Sequence, residues 1–308
     1  MPELISTGNV IVDIVLTVDH LPEPGGDIIA TSSRITAGGG LNTLVAARRA
    51  GLRTVFAGQY GTGPMGDVVR AALAASGARV IQSGVDDADS GYCVAFVDAS
   101  TERTFITTVG AEGHLTREDL DRVPVADDDL VHISGYSLAH PSNAAALTAW
   151  LPTLPTTTAV LFDPSPLIGD LDPATVDKTL RRTDILSTNA REATIMTGSP
   201  TPAHAAATLL PALRPDGLVV VRDGAAGCWL AGPSTDPVLV PGYPVNAIDT
   251  NGAGDAHAGV LAAGLLSGLT PPQAARRANA AAAIAVTKPG PATAPTAAEV
   301  DDFLRDRP

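Results

Sequence analysis

Residues 42–76 read NTLVAARRAGLRTVFAGQYGTGPMGDVVRAALAAS. Two alanine-rich stretches of helical length, Asn42 to Gly51 and Met65 to Ser76, flank an apolar run of strand length, Thr54 to Gln59. With the apolar run Leu4 to Val15 ahead of them, this is a β-α-β-α rhythm. It returns downstream in Leu130 to Ser134, Ser142 to Leu151, Ala159 to Asp163, Ile185 to Ser187, Thr201 to Leu213 and Leu218 to Arg222. Strands alternating with helices predict an α/β fold, a mostly parallel sheet covered by helices on both faces. Two stretches, about 16–36 and 91–108, carry β-branched alternation with no intervening helix. They predict a small accessory sheet inserted into one domain spanning 1–308.

Composition narrows the partners. The chain has 308 residues, 45% of them hydrophobic and only 17% charged, so it can bury a sizeable core and is not of the disordered class. Its 33 acidic side chains against 20 basic ones leave a formal charge of -13, which repels a phosphate backbone or an anionic lipid surface. Neither nucleic acid nor membrane is expected as a partner. Cys93 and Cys228 stand far apart without a CxxC pair, which argues against a zinc site or a disulfide framework. The opening MPELISTGNVIVDIV has no basic segment before its apolar run and reads as a strand, so the cytoplasm is the expected compartment. The long uncharged run between Asp255 and Arg276 is interrupted by His257, Gly259, Gly264, Ser267, Gly268 and Pro271-Pro272. That pattern predicts a core helix ending near Gly268 rather than a membrane span.

Three segments carry candidate chemistry. Ala247-Ile248-Asp249-Thr250-Asn251-Gly252-Ala253-Gly254-Asp255 runs straight into that apolar helix. A helix start presents unpaired N–H groups and a positive dipole end, and Gly252, Ala253 and Gly254 let an anion such as phosphate approach them. Asp255 there suits a general base that takes a proton from an attacking hydroxyl, although an N-cap Asp after a glycine turn has the same spelling. A second segment, Thr36-Ala37-Gly38-Gly39-Gly40-Leu41-Asn42, also precedes a helix. It is either a tight turn capped by Asn42, or a bare wall on which a polyhydroxy substrate lies while Asn42 bonds a hydroxyl. Asp13, closing the first strand in Gly8-Asn9-Val10-Ile11-Val12-Asp13, is the matching acceptor for two vicinal hydroxyls, or only a solvated strand end.

These motifs resemble the ribokinase-like family, the carbohydrate kinases of the phosphofructokinase-B type, over nearly the whole chain. Asp249 to Asp255 matches the family's D-T-x-G-A-G-D, and Gly38 to Asn42 its N-terminal glycine motif. Asn189-Ala190-Arg191-Glu192 resembles N-x-x-E, and Arg222 to Gly227 the nucleotide loop with glycines three apart, Gly224 and Gly227. Ala278-Asn279-Ala280 followed by Val286-Thr287-Lys288-Pro289-Gly290 resembles the adenine and cation segment. The resemblance implies a three-layer α/β/α sandwich with a small β-sheet lid, and ATP-dependent transfer of the γ-phosphoryl group to a hydroxymethyl group of a sugar or sugar-like alcohol. It implies Asp255 as base, with Gly252, Ala253 and Gly254 stabilising the transferred group. The substrate would lie against Asp13, Gly38, Gly39, Gly40, Asn42 and Tyr136. The nucleotide would be held by Asn189, Glu192, Arg222, Gly224, Gly227, Gly254 and Asn279, with Mg²⁺ organised by Glu192 through water. K⁺ would sit in the loops of Asp249, Asn251, Ala285, Lys288 and Gly290, and a homodimer would form through the lid.

Departures from the pattern bear on the acceptor. Ile11 stands where ribokinases carry an Asn, and Tyr136 where they present a Glu to the sugar. A bulkier or less polar acceptor follows, and a nucleoside kinase of the same fold is the alternative, with Tyr92, Phe96, Phe105 and Tyr136 as candidate stacking surfaces. His257 and Arg222 replace the family's usual residues; His257 reads as a packing residue rather than a second base.

Overall fold

The computed structural model describes residues 1–100, 103–233 and 236–307. Its strands are β1 (Glu3–Ser6), β2 (Val10–Thr17), β3 (Ser32–Gly39), β4 (Arg53–Phe56), β5 (Arg79–Val80), β6 (Tyr92–Val97) and β7 (Arg103–Thr108). They continue as β8 (Leu130–Ser134), β9 (Ala159–Asp163), β10 (Ile185–Asn189), β11 (Leu218–Arg222), β12 (Gly227–Ala231) and β13 (Val238–Pro241). The helices are α1 (Gly40–Arg49), α2 (Pro64–Ser76), α3 (Arg117–Asp121), α4 (Gly135–Leu138), α5 (Pro141–Trp150) and α6 (Pro173–Leu180). After them come α7 (Ala190–Thr197), α8 (Pro202–Leu209), α9 (Ala253–Leu266), α10 (Pro271–Ala285) and α11 (Ala297–Arg305).

Nine strands form the main sheet in the order β13-β12-β11-β10-β9-β8-β1-β4-β5. The seven from β11 to β5 are parallel, and β12 and β13 extend the sheet antiparallel at one edge. Near-continuous apolar strands such as Val219-Val220-Val221 serve two buried faces at once. Phe162 and Val221 pack with Leu147, Trp150 and Leu209 on one side; Leu161 and Val220 pack with Leu261, Ala278 and Val300 on the other. The terminal helix α11 is fixed by the reciprocal cap between Thr296 and Glu299 that the sequence spells. Both cysteines are free and buried. Among the described residues, no helix is long and apolar enough to cross a membrane.

The first apolar run is two strands rather than one. β1 ends at Ser6, the chain turns at Thr7-Gly8-Asn9, and β2 joins a second sheet in the order β3-β2-β6-β7. The turn is pinned because Thr7 N–H donates to His132 O and Gly40 N–H donates to Asn9 O. Reading Leu4 to Val15 as one run passes over Ser6-Thr7-Gly8-Asn9, polar and turn-forming residues that interrupt it. The expected insertion at 16–36 is accordingly displaced, since its strands are Val10–Thr17 and Ser32–Gly39. Residues 18–31 between them form a loop whose Pro22, Pro24, Gly25 and Gly26 disfavour a ladder. The other pair, β6 and β7, falls inside 91–108, with turn residues 101 and 102 outside the described residues.

Helix α9 is apolar around its whole circumference and lies buried against α1 and α10, with Ala256 to Gly264 all buried. Its approach to α1 is close at Gly259, where a Cβ would stand 2.7 Å from both Ala46 Cβ and Thr43 O. Alanine there improves helix propensity by about 1 kcal/mol, but overpacking against backbone costs about 1–3 kcal/mol. Gly259→Ala is therefore expected to lower the denaturant midpoint; an unchanged or raised midpoint would show that the crossing has slack.

Candidate active site

Arg222 and Asp163, at the carboxyl ends of β11 and β9, meet beside Gly254 at the N-terminus of α9, and strand carboxyl ends are where such sheets bind ligands. Gly252 caps α9 with φ +74°, a conformation natural to glycine, and a Cβ on it would collide with Pro291 O. Ala256 is the first residue of this turn whose N–H reaches the carbonyl four residues back, Gly252 O at 2.8 Å. The amides before it belong to the class that helix geometry leaves without such partners, although Ala253 N–H makes a 3.3 Å contact to Thr250 O.

Asp255 lies in this first turn, and α1 holds its carboxylate. Asn42 Nδ2 donates to Oδ2 at 3.1 Å and Thr43 Oγ1 donates to Oδ1 at 2.9 Å. Burial pushes the Asp255 carboxyl up to about 6; the two donors and Arg222 oppose that shift, and Asp163 adds to it. The group remains a carboxylate at neutral pH yet is far more basic than an ordinary aspartate. Asn42 does not cap α1, whose N-cap is Gly39 without any side-chain bond. Its Oδ1 is buried with no partner among the described residues.

Asp13 comes from the middle of β2 in the small sheet, not from the end of a main-sheet strand. Register places it opposite Thr36 and Cys93, with Cys93 opposite Thr107, so these side chains share one face. A Cβ on Gly38 would collide with Asp13 Oδ2, so the bare backbone is what lets the carboxylate lie there. Burial raises Asp13 to about 6 against the pull of Arg34. Tyr136, at the start of α4, is 47% exposed. Its phenol is pushed up by partial burial and then by the fields of Asp255, Asp163, Glu192 and Cys93.

On the other flank, Asn189 and Glu192 form a reciprocal capping box at the start of α7. Glu192 Oε1 accepts from Asn189 Nδ2 at 2.6 Å and Oε2 from Asn189 N–H at 2.9 Å and Thr188 Oγ1 at 3.1 Å. Burial, reinforced by Asp163, raises its carboxyl. Arg222 closes β11 and reaches across to this cluster, donating from Nη1 to Asp163 Oδ2 at 3.0 Å and to Ser187 Oγ and Gly254 O, both at 3.3 Å. Gly224 and Gly227 shape the turn that follows it into β12. Asn279 is turned inward: Nδ2 donates to Val240 O and Pro241 O, and Oδ1 meets His257 Nε2 at 3.2 Å. His257, buried and lowered to about 3, is a neutral packing residue.

The loops around Asp249 and Gly290 are joined. Ile248 and Asp249 N–H both donate to Val286 O, and Asp249 Oδ1 and Oδ2 accept from Asn251 and Gly290 N–H. Ala285 O accepts from Thr293 Oγ1, and the Lys288 ammonium pairs with Glu299. Among the described residues, no cluster of three His, Cys, Asp or Glu side chains could hold a metal ion by itself. A Mg²⁺ that arrives on nucleotide phosphates and keeps most of its waters needs as few as one carboxylate, which Glu192 would supply through water.

Three contributors escaped the sequence reading. Thr43 is the residue after the motif's last position, Asp163 is an acid at the carboxyl end of a parallel strand, and Asn9 sits in a Gly-Asn turn. Asn9 Nδ2 donates to Tyr136 O at 3.4 Å, and its Oδ1 accepts from Ser137 Oγ at 2.9 Å. The second signal, strand-end acidity, was readable; the other two need the fold.

A carboxylate of raised basicity in the first turn of a helix, on a mostly parallel sheet, suits a phosphoryl-transferring α/β enzyme. The model of the family described as "pfkB family carbohydrate kinase" matches residues 1–298, so this chain belongs to the pfkB carbohydrate kinases. It is 32% identical over 308 residues to "Uncharacterized sugar kinase YegV" of Escherichia coli, covering 95% of this chain and 91% of that one. It is 30% identical over 315 residues to the "ATP-dependent ribose-1-phosphate kinase" of Halopiger xanaduensis, covering 100% and 99%. The ribokinase structure from Giardia lamblia superposes with TM-score 0.84 at 24% identity over 99% of this chain and all of that one.

Because a base must be ionised to work, kcat/KM is expected to fall on the acid side of about 6, roughly tenfold per pH unit. A limb near 4 would mean that burial does not raise the base. The linkage sign is the reverse: folding takes up a proton at Asp255, so this stabilising term is complete below 3.8 and is lost as pH rises through about 6.

Proposed function

We propose that this carbohydrate kinase transfers the γ-phosphoryl group of ATP to a hydroxymethyl group of a sugar or sugar-like alcohol. The observation that carries the reading is Asp255, held by Asn42 and Thr43 beside the first-turn amides of α9. The acceptor oxygen gives its proton to Asp255 as it bonds phosphorus; the bond from phosphorus to the β–γ bridging oxygen breaks, and ADP leaves with that electron pair. The amides of Gly252, Ala253 and Gly254 then face charge on the moving group.

The acceptor lies between the Gly38-Gly39-Gly40 wall and Tyr136, with Asp13 and Asn42 taking its hydroxyls. Asn42 Oδ1, buried beside the base without a partner, supports that role. Asn189, Glu192, Gly224, Gly227 and Gly254 border the nucleotide, whose Mg²⁺ would neutralise phosphate charge, while Arg222 and Asn279 lie beneath it with their side chains turned to protein partners. A monovalent cation, K⁺, fits the carbonyl-rich loops of Asp249, Asn251, Ala285, Lys288 and Gly290, which meet behind Gly252. The nucleoside alternative has less support. Of the four candidate stacking rings, Tyr92 and Phe96 lie on the small-sheet face opposite Asp13, leaving Phe105 and Tyr136 on the cleft side.

That opposite face supports a homodimer through the small sheet acting as a lid. Ile35, Ile14, Val94 and Ile106 form one cross-strand row, and Ile35 and Ile106 are 58% and 60% exposed. The edge strands β3 and β7 flank it. Ile106→Glu is expected to turn a dimer into a monomer in analytical ultracentrifugation; the same mass for both proteins would remove the lid interface.

A panel of pentoses, hexoses, ribose 1-phosphate and nucleosides, run with and without K⁺, tests the reaction. A sugar or sugar phosphate should be accepted; ATP consumption with nucleosides alone would overturn the reading. With the accepted sugar, Asp255→Asn should cost about 10² to 10⁴ in kcat while ATP still binds. Turnover like the wild type would take Asp255 out of the chemistry.

A further inference from the structure

Arg222 spans from β11 across the neighbouring β10 to β9, a reach of about 10 Å for two strand spacings. Its Nη1 alone serves three acceptors on three elements: Asp163 Oδ2 on β9, Ser187 Oγ on β10 and Gly254 O in the first turn of α9. Its Nη2 stands 3.8 Å from Glu192 Oε2 on α7. The guanidinium is nearly buried, with 13% of the side chain exposed, and a Cβ on Gly254 would lie 3.4 Å from it. Arg222 therefore underlies the turn that presents Asp255.

A buried ion pair is a poor way to gain stability, because desolvation consumes most of the Coulombic attraction and apolar residues of the same volume serve as well or better. Nor does the cluster offer surplus positive charge to a phosphoryl group, since one guanidinium faces two carboxylates, Asp163 and Glu192. What the arrangement does supply is geometry. One guanidinium nitrogen, its two N–H groups shared among three acceptors, ties one helix carbonyl to three adjacent strands.

We propose that Arg222 and Asp163 form a strut that sets the catalytic turn, with Arg222 a positioning residue that acts through the Gly254 carbonyl and Asp163 as the anchor of its guanidinium. The inference rests on the kinase reading above and assigns these two residues a task apart from nucleotide affinity. Misplacing a base and its amides by about 1 Å costs about 10²-fold in rate, so the strut should show in kcat. Lysine at 222 keeps the charge but reaches one bond less far from β11; Asn at 163 keeps the shape but loses the charge.

The test is steady-state kinetics of Arg222→Lys, Asp163→Asn and the double variant, with the acceptor identified by the panel and ATP varied. Each single variant should lower kcat by about 10- to 100-fold with KM for ATP within about threefold of wild type, and the double should be no slower than the slower single. A KM for ATP raised tenfold or more with kcat unchanged would make Arg222 a nucleotide ligand and overturn the strut; so would unchanged kcat and KM, or fully additive losses. If Arg222→Lys fails to fold, Asp163→Asn alone carries the same kcat-against-KM outcomes. A wild type that phosphorylates nothing in the panel removes the kinase reading instead, whereas an active wild type with unaffected variants removes only the strut.

Discussion

The site depends on how closely α1 and α9 cross. Gly259 lies one turn after Asp255 on α9, and Ala46 and Ala47 lie one turn after Asn42 and Thr43 on α1, so the contact and the carboxylate share one face of each helix. Without a side chain at 259 the backbones can approach until two short polar side chains on α1 reach a carboxylate on α9. A longer separation would demand longer side chains with more rotamer freedom to lose. The apolar packing of both helices on the main sheet supplies the force that maintains this spacing.

Several acids share the cleft with few cations. Asp255, Asp163, Glu192 and Asp13 all border it, and burial raises Asp255 and Asp13 to about 6 and moves Glu192 in the same direction. In a stable but inert protein such groups would be neutral side chains. In the proposed reaction the raised basicity of Asp255 is the useful property, since proton abstraction near neutrality favours a base whose own pKa lies close to the pH of the medium. The buried histidines His132 and His257 are lowered to about 4 and about 3, so neither competes for that proton.

Much of the architecture was legible in the sequence because apolar periodicity and caps are local. β8, β9 and β11 fall where their apolar runs predict, and Thr296 with Glu299 opens α11 as spelled. The miss lies at Thr7 to Asn9, where the turn residues between two apolar strands were readable but only pairing with β3 and β6 shows that the second strand joins another sheet. That error misplaced Asp13 at a strand end and shifted the insertion. For the candidate site, the glycine and aspartate motifs could be picked out because backbone access and charge are properties of single residues. Thr43, Asn9 and the Arg222–Asp163 pair depend on which elements become neighbours, and a lone threonine or a strand-end arginine has many ordinary uses.

The small sheet separates two tasks by the alternation of its side chains. On β2, β3, β6 and β7, every second position looks into the cleft, while the positions between them look away or meet α2. Exchanges at Ile11, Thr36 or Thr107 therefore reshape the chamber's ceiling without touching the machinery on α9 or the interior of the larger sheet. Such a layout lets a lineage drift from one acceptor to another through a handful of conservative steps while the chemistry beneath stays intact.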